Sequence, residues 1–551
     1  MIRKFLALLA TFALAGGLAL PAGAADIPDE QFAISAPPTL QDSLGVVIED
    51  SQFLKNQFSS LQSHVSSGKL AGTSKLIAKY NCKSVGDVNC ESDKYFMYMA
   101  LLGACDSNFS FDCVQKISAT NSNGKSLNVK YVEDFPSKMP FEFTGNSKIN
   151  LPSGRSTFVV DIPEAPHAGG SNYLVVAELI GSKDSIDIKF RDPDLSIGLI
   201  AVSKELGSYS PAGPATELHE GDRLGVASYK RVSEDMSTGS ITSCAQTTNS
   251  ACLQPYPLPA DITFSATVKL RTKVRGWLHG RAQSVNALIS EAVDGDQLIT
   301  VEGKATKVPT VYAWFEKTAL PKSVSDFYSK NADRLTSGTG FGSSIPGNKG
   351  SLLKDNISYS EYSLNEALAW FAAINDKAPY LPTQWSFRST NDNADPKGCY
   401  QKLNSLSGIV TTNSTFFLSG PPTFNTSEQS LDYRVASPHL TPTGEVFKGS
   451  YNLVINSKTA RCLYGFTSAP ISATVSVISS DGTKSIASTV VGERNGYLFL
   501  SAQGFTFSSP TLRVKLSQKK NQSYSITCTK GKTSKKVTGV NPKCPKGYVK
   551  K

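Results

Sequence analysis

Ten cysteines constrain this chain of 551 residues more than any other feature of its sequence. Three neighbouring pairs share a sequence separation of eight, a spacing that suits disulfides closing small loops. The spacing favours one connectivity without excluding others: Cys82–Cys90, Cys105–Cys113, Cys244–Cys252, Cys399–Cys462 and Cys528–Cys544. Zinc binding is the alternative, but no Cys-x-x-Cys motif occurs, so the sequence predicts disulfides and no metal site.

The N-terminus has the three parts of a secretory signal peptide. Arg3 and Lys4 precede an apolar run over residues 5–20, and residues 22–24 (AGA) form an A-x-A cleavage site. An uncleaved membrane anchor is the alternative. We predict that residues 1–24 are removed and that the mature protein is secreted, extracellular or cell-wall associated. No other apolar run approaches the roughly 18–20 residues of a membrane span, so no transmembrane segment is expected after cleavage.

Short β-rich runs predict a mainly β fold. These runs lie at residues 157–162, 173–180, 185–190, 471–477 and 512–516. We predict multidomain, antiparallel β-sandwich-like modules that are linked by disulfides. One notable helix is expected at about 364–375, where Ser363 and Glu366 have the spacing of a capping box.

Shifts in composition divide the chain into seven predicted segments. They are a signal peptide (1–24), a lead-in or linker (25–75), a Cys-rich module (76–140), a β domain (141–320), a linker with the helix (321–379), a β-sandwich-like domain (380–518) and a basic disulfide hairpin tail (519–551).

Positive charge is concentrated at the C-terminal end. The formal net charge is +10, yet no acidic residue follows Glu493, and residues 494–551 alone carry +13. The tail is predicted to be a β-hairpin that Cys528–Cys544 closes, because a two-stranded hairpin alone is marginal in water. The candidate binding lysines of this hairpin are Lys530, Lys532, Lys535, Lys536, Lys543 and Lys546.

Such a tail suits polyanionic partners, since lysine is a flexible point charge with little geometric selectivity. We expect anionic cell-wall polymers or acidic polysaccharide, bound in a salt-sensitive way. A solubilising tail with no partner is the alternative. Nucleic acid is not expected, because export argues against it and no aromatic-lined motif accompanies the lysines.

A second cationic pattern occupies residues 269–281. Every odd position is basic or aromatic: Lys269, Arg271, Lys273, Arg275, Trp277, His279 and Arg281. In a strand these side chains share one face, which predicts an anionic-ligand ridge with Trp277 stacking on a sugar. The opposite face is predicted to be an apolar core face formed by the even positions Val268, Leu270, Val274 and Leu278. The alternative is a solvated face that Asp or Glu residues on neighbouring strands balance.

No catalytic motif stands out. The five histidines are dispersed, and there is no H-E-x-x-H, no G-x-S-x-G, no phosphate-binding loop and no dinucleotide fingerprint. The sequence therefore predicts no cofactor and favours a protein that is not an enzyme. A secreted hydrolase of glycans or esters without a recognisable motif is one alternative, and an adhesion or assembly subunit is another.

Several patches resemble uncharacterised secreted proteins of actinobacteria. The patches are residues 111–114, 276–281, 385–389, 447–451, 460–466 and 505–511. The ending from Ile526 to Tyr548 is similar to a basic, Cys-containing tail motif of exported proteins in that group. The resemblance implies a secreted, β-rich envelope protein and does not imply any particular activity. The overall expectation is a secreted, cell-envelope-associated binding or surface protein whose basic tail contacts anionic wall polymers.

Overall fold

A computed structural model gives the architecture of the chain. It describes residues 43–48, 58–67, 75–88, 90, 95–138, 142–184, 186–208, 234–235, 240–241, 244–332, 352–355, 361–390, 397–400, 405–418, 420–466, 471–478, 484–487, 492–507, 511–518, 524–539 and 542–551. The predicted signal peptide, residues 1–24, lies outside these ranges.

Strands dominate the described residues, as predicted. The first eighteen are β1 (Ser43–Ile48), β2 (Ser60–Ser67), β3 (Lys75–Asn81), β4 (Tyr95–Leu101), β5 (Cys113–Thr120), β6 (Lys130–Phe135), β7 (Thr157–Asp161), β8 (Asn172–Lys183), β9 (Asp194–Leu206), β10 (Glu234–Asp235), β11 (Ser240–Ile241), β12 (Gln246–Thr247), β13 (Ala251–Tyr256), β14 (Thr263–Leu270), β15 (Gly276–Arg281), β16 (Gln283–Glu291), β17 (Gln297–Lys304) and β18 (Thr306–Lys307). The remainder are β19 (Val311–Glu316), β20 (Leu352–Asp355), β21 (Thr383–Gln384), β22 (Ser386–Thr390), β23 (Leu406–Thr412), β24 (Phe416–Phe417), β25 (Thr423–Asn425), β26 (Ser430–Ala436), β27 (Lys448–Asn456), β28 (Ile471–Ile478), β29 (Lys484–Ala487), β30 (Gly492–Arg494), β31 (Tyr497–Thr506), β32 (Thr511–Gln518), β33 (Tyr524–Lys530), β34 (Thr533–Gly539) and β35 (Val549–Lys550).

Three α-helices occur within the described residues. They are α1 (Lys322–Ser329), α2 (Glu361–Ala373) and α3 (Ser457–Tyr464), and two short 3-10 helices cover Ser147–Ile149 and Lys317–Ala319. The predicted helix at 364–375 corresponds to α2, which begins three residues earlier.

One large sheet runs through most of the chain. Its main path has the order β3-β2-β4-β8-β9-β22-β15-β23-β27-β31-β30, and β6, β7, β12 and β13 attach along it. Nearly all its pairings are antiparallel, but β15 and β23 are parallel neighbours. A parallel pair needs a crossover connection, and here more than a hundred residues separate the two strands in sequence.

Strand pairing crosses the predicted segment boundaries. β15 lies in predicted segment 141–320, yet both of its neighbours, β22 and β23, come from predicted segment 380–518. The predicted lead-in at 25–75 contains β1 and β2, and β1 pairs with β19 and β20. Strand pairing therefore joins residues of different predicted segments, because composition along the chain carries no information on which strands pair.

Two smaller sheets cover opposite faces of the large one. The four-stranded sheet β16-β17-β14-β5 packs on one face through residues such as Phe264 and Ile299. The six-stranded sheet of β24, β25, β26, β28, β29 and β32 packs on the other through residues such as Tyr433 and Val514. Two neighbouring residues of β15 point to different cores. Leu278 packs with the four-stranded sheet, and Trp277 packs with the six-stranded sheet. The middle of the large sheet is thus buried on both faces.

The predicted capping box at the start of α2 is wrong. Because the helix begins at Glu361, Ser363 lies inside its first turn and is buried. Glu366 is fully buried, and its Oε1 accepts the hydroxyl proton of Tyr328 at 2.6 Å. The Trp370 indole donates to the same hydroxyl at 3.2 Å. Both predicted box residues therefore lie on the buried stripe that joins α2 to α1.

The half-buried strand predicted at 185–190 is also wrong. Residues 186–190 form bends and a turn, and Ile186 and Ile188 are 86% and 85% exposed. Arg191 makes ion pairs with both Asp184 and Asp187, which closes the loop. Among the described residues 186–190, Phe190 alone enters the core, beside Tyr98 with ring centroids 5.3 Å apart.

The other predicted β-rich runs and the predicted disulfides agree with the structure. Four of the five β-rich runs are strands: β7, β8, β28 and β32. All five predicted disulfides are present, and they use all ten cysteines. In the part of the chain that the structure describes, no helix has the length and apolar character needed to cross a bilayer.

Candidate functional site

The cationic pattern at 269–281 is divided between two sheets. Lys269 lies at the end of β14 in the four-stranded sheet, and Trp277 lies on β15 in the large sheet. Residues 271–275 connect these layers without forming a strand. Gly276, with φ of 79°, stands at the start of β15 in a backbone conformation that suits glycine. The continuous ridge that the alternation predicts is therefore absent.

The N-terminal half of this pattern is exposed in part but paired with acids. Lys269 contacts Asp294 at 2.6 Å, and the guanidinium of Arg271 lies 3.0 Å from Asp296. The two remaining cations have partners as well: Lys273 with Glu291 at 3.8 Å, and Arg275 with Asp192 at 3.1 Å. The hydrogen bond from Lys269 lowers the pKa of Asp294, while the same contact raises the pKa of Lys269. This is the alternative of acid-balanced charge that the sequence left open.

The C-terminal half of the pattern is buried. Trp277, His279 and Arg281 are each at most 1% exposed, because β15 is covered on both faces. The Trp277 ring meets Tyr400 edge-on, with centroids 5.3 Å apart. The prediction that Trp277 stacks on a sugar at the surface is therefore wrong. The predicted apolar face is confirmed, since Val268, Leu270, Val274 and Leu278 are all fully buried.

Arg281 and His279 pack around one phenylalanine inside the protein. The His279 ring stacks on Phe417 with centroids 3.6 Å apart, and the Arg281 guanidinium lies 4.9 Å from the same ring centroid. Arg281 Nη1 also donates to the backbone oxygens of Thr412 and Ser414, at 2.9 and 2.5 Å. These contacts hold β15 against the chain around β23 and β24, which is a structural role.

Asp112 is a buried acid that the sequence did not indicate. It lies beside Cys113 with φ of 50°, and its Oδ1 accepts the backbone N–H groups of Arg271 and Thr272 at 3.0 and 3.2 Å. Burial raises its pKa to about 6, and the nearby charge of Asp296 acts in the same direction. Because its hydrogen bonds go to the backbone of the connection between the two sheets, Asp112 supports that connection.

The basic tail is a small sheet of three strands. β33 and β34 form the predicted hairpin, with Gly531 and Lys532 as its two-residue turn, and β35 pairs with the other edge of β33. Cys528 is fully buried at the centre and is bonded to Cys544. The hairpin prediction is confirmed, and the third strand is an addition to it.

The tail lysines differ from the cations of residues 269–275 in making no ion pair with an acid of the described residues. Lys530, Lys532, Lys535, Lys536, Lys543 and Lys546 are all exposed. None of them makes an ion pair within the described residues, and the sequence has no acidic residue after Glu493. Of the two predicted clusters, only the tail therefore presents unpaired positive charge to solvent.

Two tail residues belong to this site and were missed by sequence reasoning. Tyr548 lies beneath the ammonium of Lys535, with 5.7 Å between Nζ and the ring centroid, and Lys550 lies on β35 opposite Cys528. A strand of two residues is too short for periodicity to detect. The one signal in the sequence is that Tyr548 and Lys550 follow a glycine and are two positions apart, a spacing that places two side chains on the same face of a strand.

The described histidines provide no metal site. His167 is held between the backbone oxygen of Asn172 and the N–H of Gly169, and burial lowers its pKa. His439 Nδ1 lies 2.8 Å from the backbone oxygen of Phe507. Among the described residues, no group of three His, Cys, Asp or Glu side chains could hold a metal ion.

Fold and site together define a class: a disulfide-linked, mainly β protein that ends in a compact basic sheet. No protein-family model matches the chain, and no curated protein matches it either.

Proposed function

We propose that this protein is exported and held at the cell envelope by its C-terminal sheet, which binds anionic wall polymers or acidic polysaccharide. One observation carries the proposal. Residues 524–551 form a disulfide-closed sheet with its connections and carry eight lysines and no acidic side chain, whereas each of the four cations from 269 to 275 has an acidic partner.

Electrostatics explain why such a sheet favours a polymer. An exposed ammonium contributes little in isolation, but several that stand roughly one Debye length apart, about 8 Å at physiological ionic strength, act on the same stretch of ligand. Each bound anionic group releases counterions, so the affinity falls as salt rises. Five disulfides and the predicted signal peptide at 1–24 support an oxidising compartment outside the cytoplasm.

Cosedimentation with purified cell-wall material tests the proposal. The mature chain is compared with a chain that ends at residue 518, at low and at high NaCl concentration. We expect the intact chain to sediment at low salt and to be released at high salt, and the shortened chain to remain in the supernatant at both. Equal sedimentation of the two chains, insensitive to salt, contradicts the proposal.

A further inference from the structure

Strand pairing assigns the lysines of the tail sheet to different faces. Directly paired residues share a face, so Lys535 and Lys550, which both pair with Cys528, lie on either side of it on one face. Lys530 follows Cys528 by two residues and shares that face. We call the surface formed by Lys530, Lys535, Lys550 and Tyr548 the disulfide face.

The opposite surface of the sheet is chemically different. Its paired residues from β33 and β34 are hydroxyl-bearing with one exception, and Ser525 and Thr538 contact each other at 2.6 Å between their oxygens. The exception is Lys536, which pairs with Thr527. We call this surface the hydroxyl face; it consists of Ser525, Thr527, Thr529, Ser534, Lys536 and Thr538.

Two ammonium groups of the disulfide face lie close to the neighbouring residues Gly547 and Tyr548. Lys535 Nζ lies 5.7 Å from the centroid of the Tyr548 ring. Lys530 Nζ lies 3.3 Å from the point that a Cβ on Gly547 would occupy, which places it beside the residue preceding Tyr548. The glycine leaves room for this approach, and its φ of 88° independently suits a residue without a Cβ.

The disulfide adds positive charge to the same side. The side chain of Cys528 points to the disulfide face, so its bond to Cys544 places the backbone around residue 544 on that side. Lys543 and Lys546 flank this bond in sequence and are exposed. Five of the eight tail lysines therefore stand on or beside the disulfide face, and Lys536 is the only paired lysine on the hydroxyl face.

We infer that the disulfide face is the contact surface and that its ligand is a single linear polyanion chain rather than a small anion. The inference rests on the proposed function. Lys535 and Lys550 are two strand spacings apart, about 10 Å between their Cβ atoms, and Lys530 is about 6.7 Å further along β33 than Cys528. Ammonium groups at these separations bind separate charges along one polymer, and the Tyr548 ring packs against the polymer between them.

Two variants with the same change in charge test the inference in the mature, full-length protein. The first is K530Q/K535Q/K550Q, which removes the lysines of the disulfide face. The control is K532Q/K536Q/K551Q, which removes the turn lysine, the lysine of the hydroxyl face and the terminal lysine. All six side chains are exposed, so both variants keep the sheet and its disulfide.

Titration calorimetry with polygalacturonate and with long-chain polyphosphate gives the affinities, with galacturonate and orthophosphate as monomeric probes. If each contact contributes about a factor of five, the first variant binds the polymers about 100-fold more weakly than the parent chain. The control loses less than about fivefold, since only the general field of the tail changes. The two polymers distinguish a carboxylate from a phosphate ligand, and neither monomer binds measurably.

The outcomes separate this inference from the function on which it rests. Equal losses of affinity in the two variants, or monomers that bind as well as polymers, overturn the inference. The proposed salt-sensitive binding of polyanions by the tail is not affected by either result. If the chain ending at residue 518 binds the polymers as well as the intact chain does, the proposed function itself fails.

Discussion

Asp112 Oδ1 accepts the backbone N–H of Arg271 at 3.0 Å, and this contact links a disulfide loop to the connection between two stacked sheets. The carboxyl group is buried, and burial raises its pKa to about 6 from an ordinary value of 3.8. Ionisation of Asp112 therefore costs the folded state more than the unfolded state, because the unfolded chain keeps the carboxylate hydrated.

The pH dependence follows from that shift. A raised pKa in the folded state stabilises the fold below about pH 4 relative to higher pH, and this contribution is lost as pH rises to about 6. Asp112→Asn keeps an oxygen that accepts both N–H groups and carries no charge. We expect the variant to be more stable than the parent at pH 7.5, by at most about 3 kcal/mol, and equal to it near pH 3.5. Urea unfolding at both pH values measures this, and a less stable variant at pH 7.5 contradicts it.

Substitutions of Trp277 test the packing of the large sheet between the two smaller sheets. Its indole is fully buried against Tyr400, so Trp277→Ala is expected to destabilise the protein by about 3–5 kcal/mol through cavity formation. Trp277→Phe keeps most of the contacts, and the indole Nε1 has no hydrogen-bond partner among the described residues, so the loss is smaller. Thermal unfolding measures both variants. If the Trp277→Phe chain has normal stability but no longer binds the polyanion, the result contradicts the structural role and supports ligand binding by Trp277.

The buried hydrogen bond between Glu366 and Tyr328 is expected to stabilise the fold. Its carboxylate accepts from Tyr328, which in turn accepts from Trp370. Glu366→Ala leaves the Tyr328 hydroxyl without this acceptor, at a cost of about 1–3 kcal/mol in unfolding free energy. A substitution at exposed Glu361 in the same helix is the control and is expected to cost less than about 1 kcal/mol. Equal effects at the two positions would show that the buried hydrogen bond contributes nothing.

The tail disulfide is expected to support binding. Cys528–Cys544 closes a loop with a sequence separation of 16, and such a bond stabilises by about 3 kcal/mol in the chain-entropy model. A small sheet has little core of its own, so the double variant C528S/C544S is expected to disperse the lysines and to weaken polymer binding about tenfold or more. Affinity at fixed salt measures the effect. The double variant C244S/C252S, which removes a disulfide outside the tail, is the control, and equal losses in the two variants would count against a specific role of the tail bond.

Local features were predictable from the sequence because they depend on neighbours in the chain. Cysteines eight residues apart pair with each other, and the apolar residues after Ser363 form a helix. The hairpin around Gly531 follows from a two-residue turn between two β-rich runs.

Features that depend on distant residues were not predictable in this way. Alternation from 269 to 281 gives a correct apolar face but cannot show that the chain changes sheets before Gly276 or that another layer covers Trp277. Alternation also fails within one short segment, since Ile186 and Ile188 lie in an exposed loop in which Arg191 pairs with the nearby Asp184 and Asp187. Tyr548 joins the candidate site only because β35 pairs with β33.

The salt dependence of polymer binding tests the central claim most directly. The intact mature chain is compared with a full-length chain in which the eight tail lysines are replaced by glutamine: Lys530, Lys532, Lys535, Lys536, Lys543, Lys546, Lys550 and Lys551. The account predicts that the affinity of the intact chain for polygalacturonate or polyphosphate falls steeply with NaCl, and that the substituted chain binds weakly at every salt concentration. Equal affinities with the same salt dependence in the two chains would contradict it.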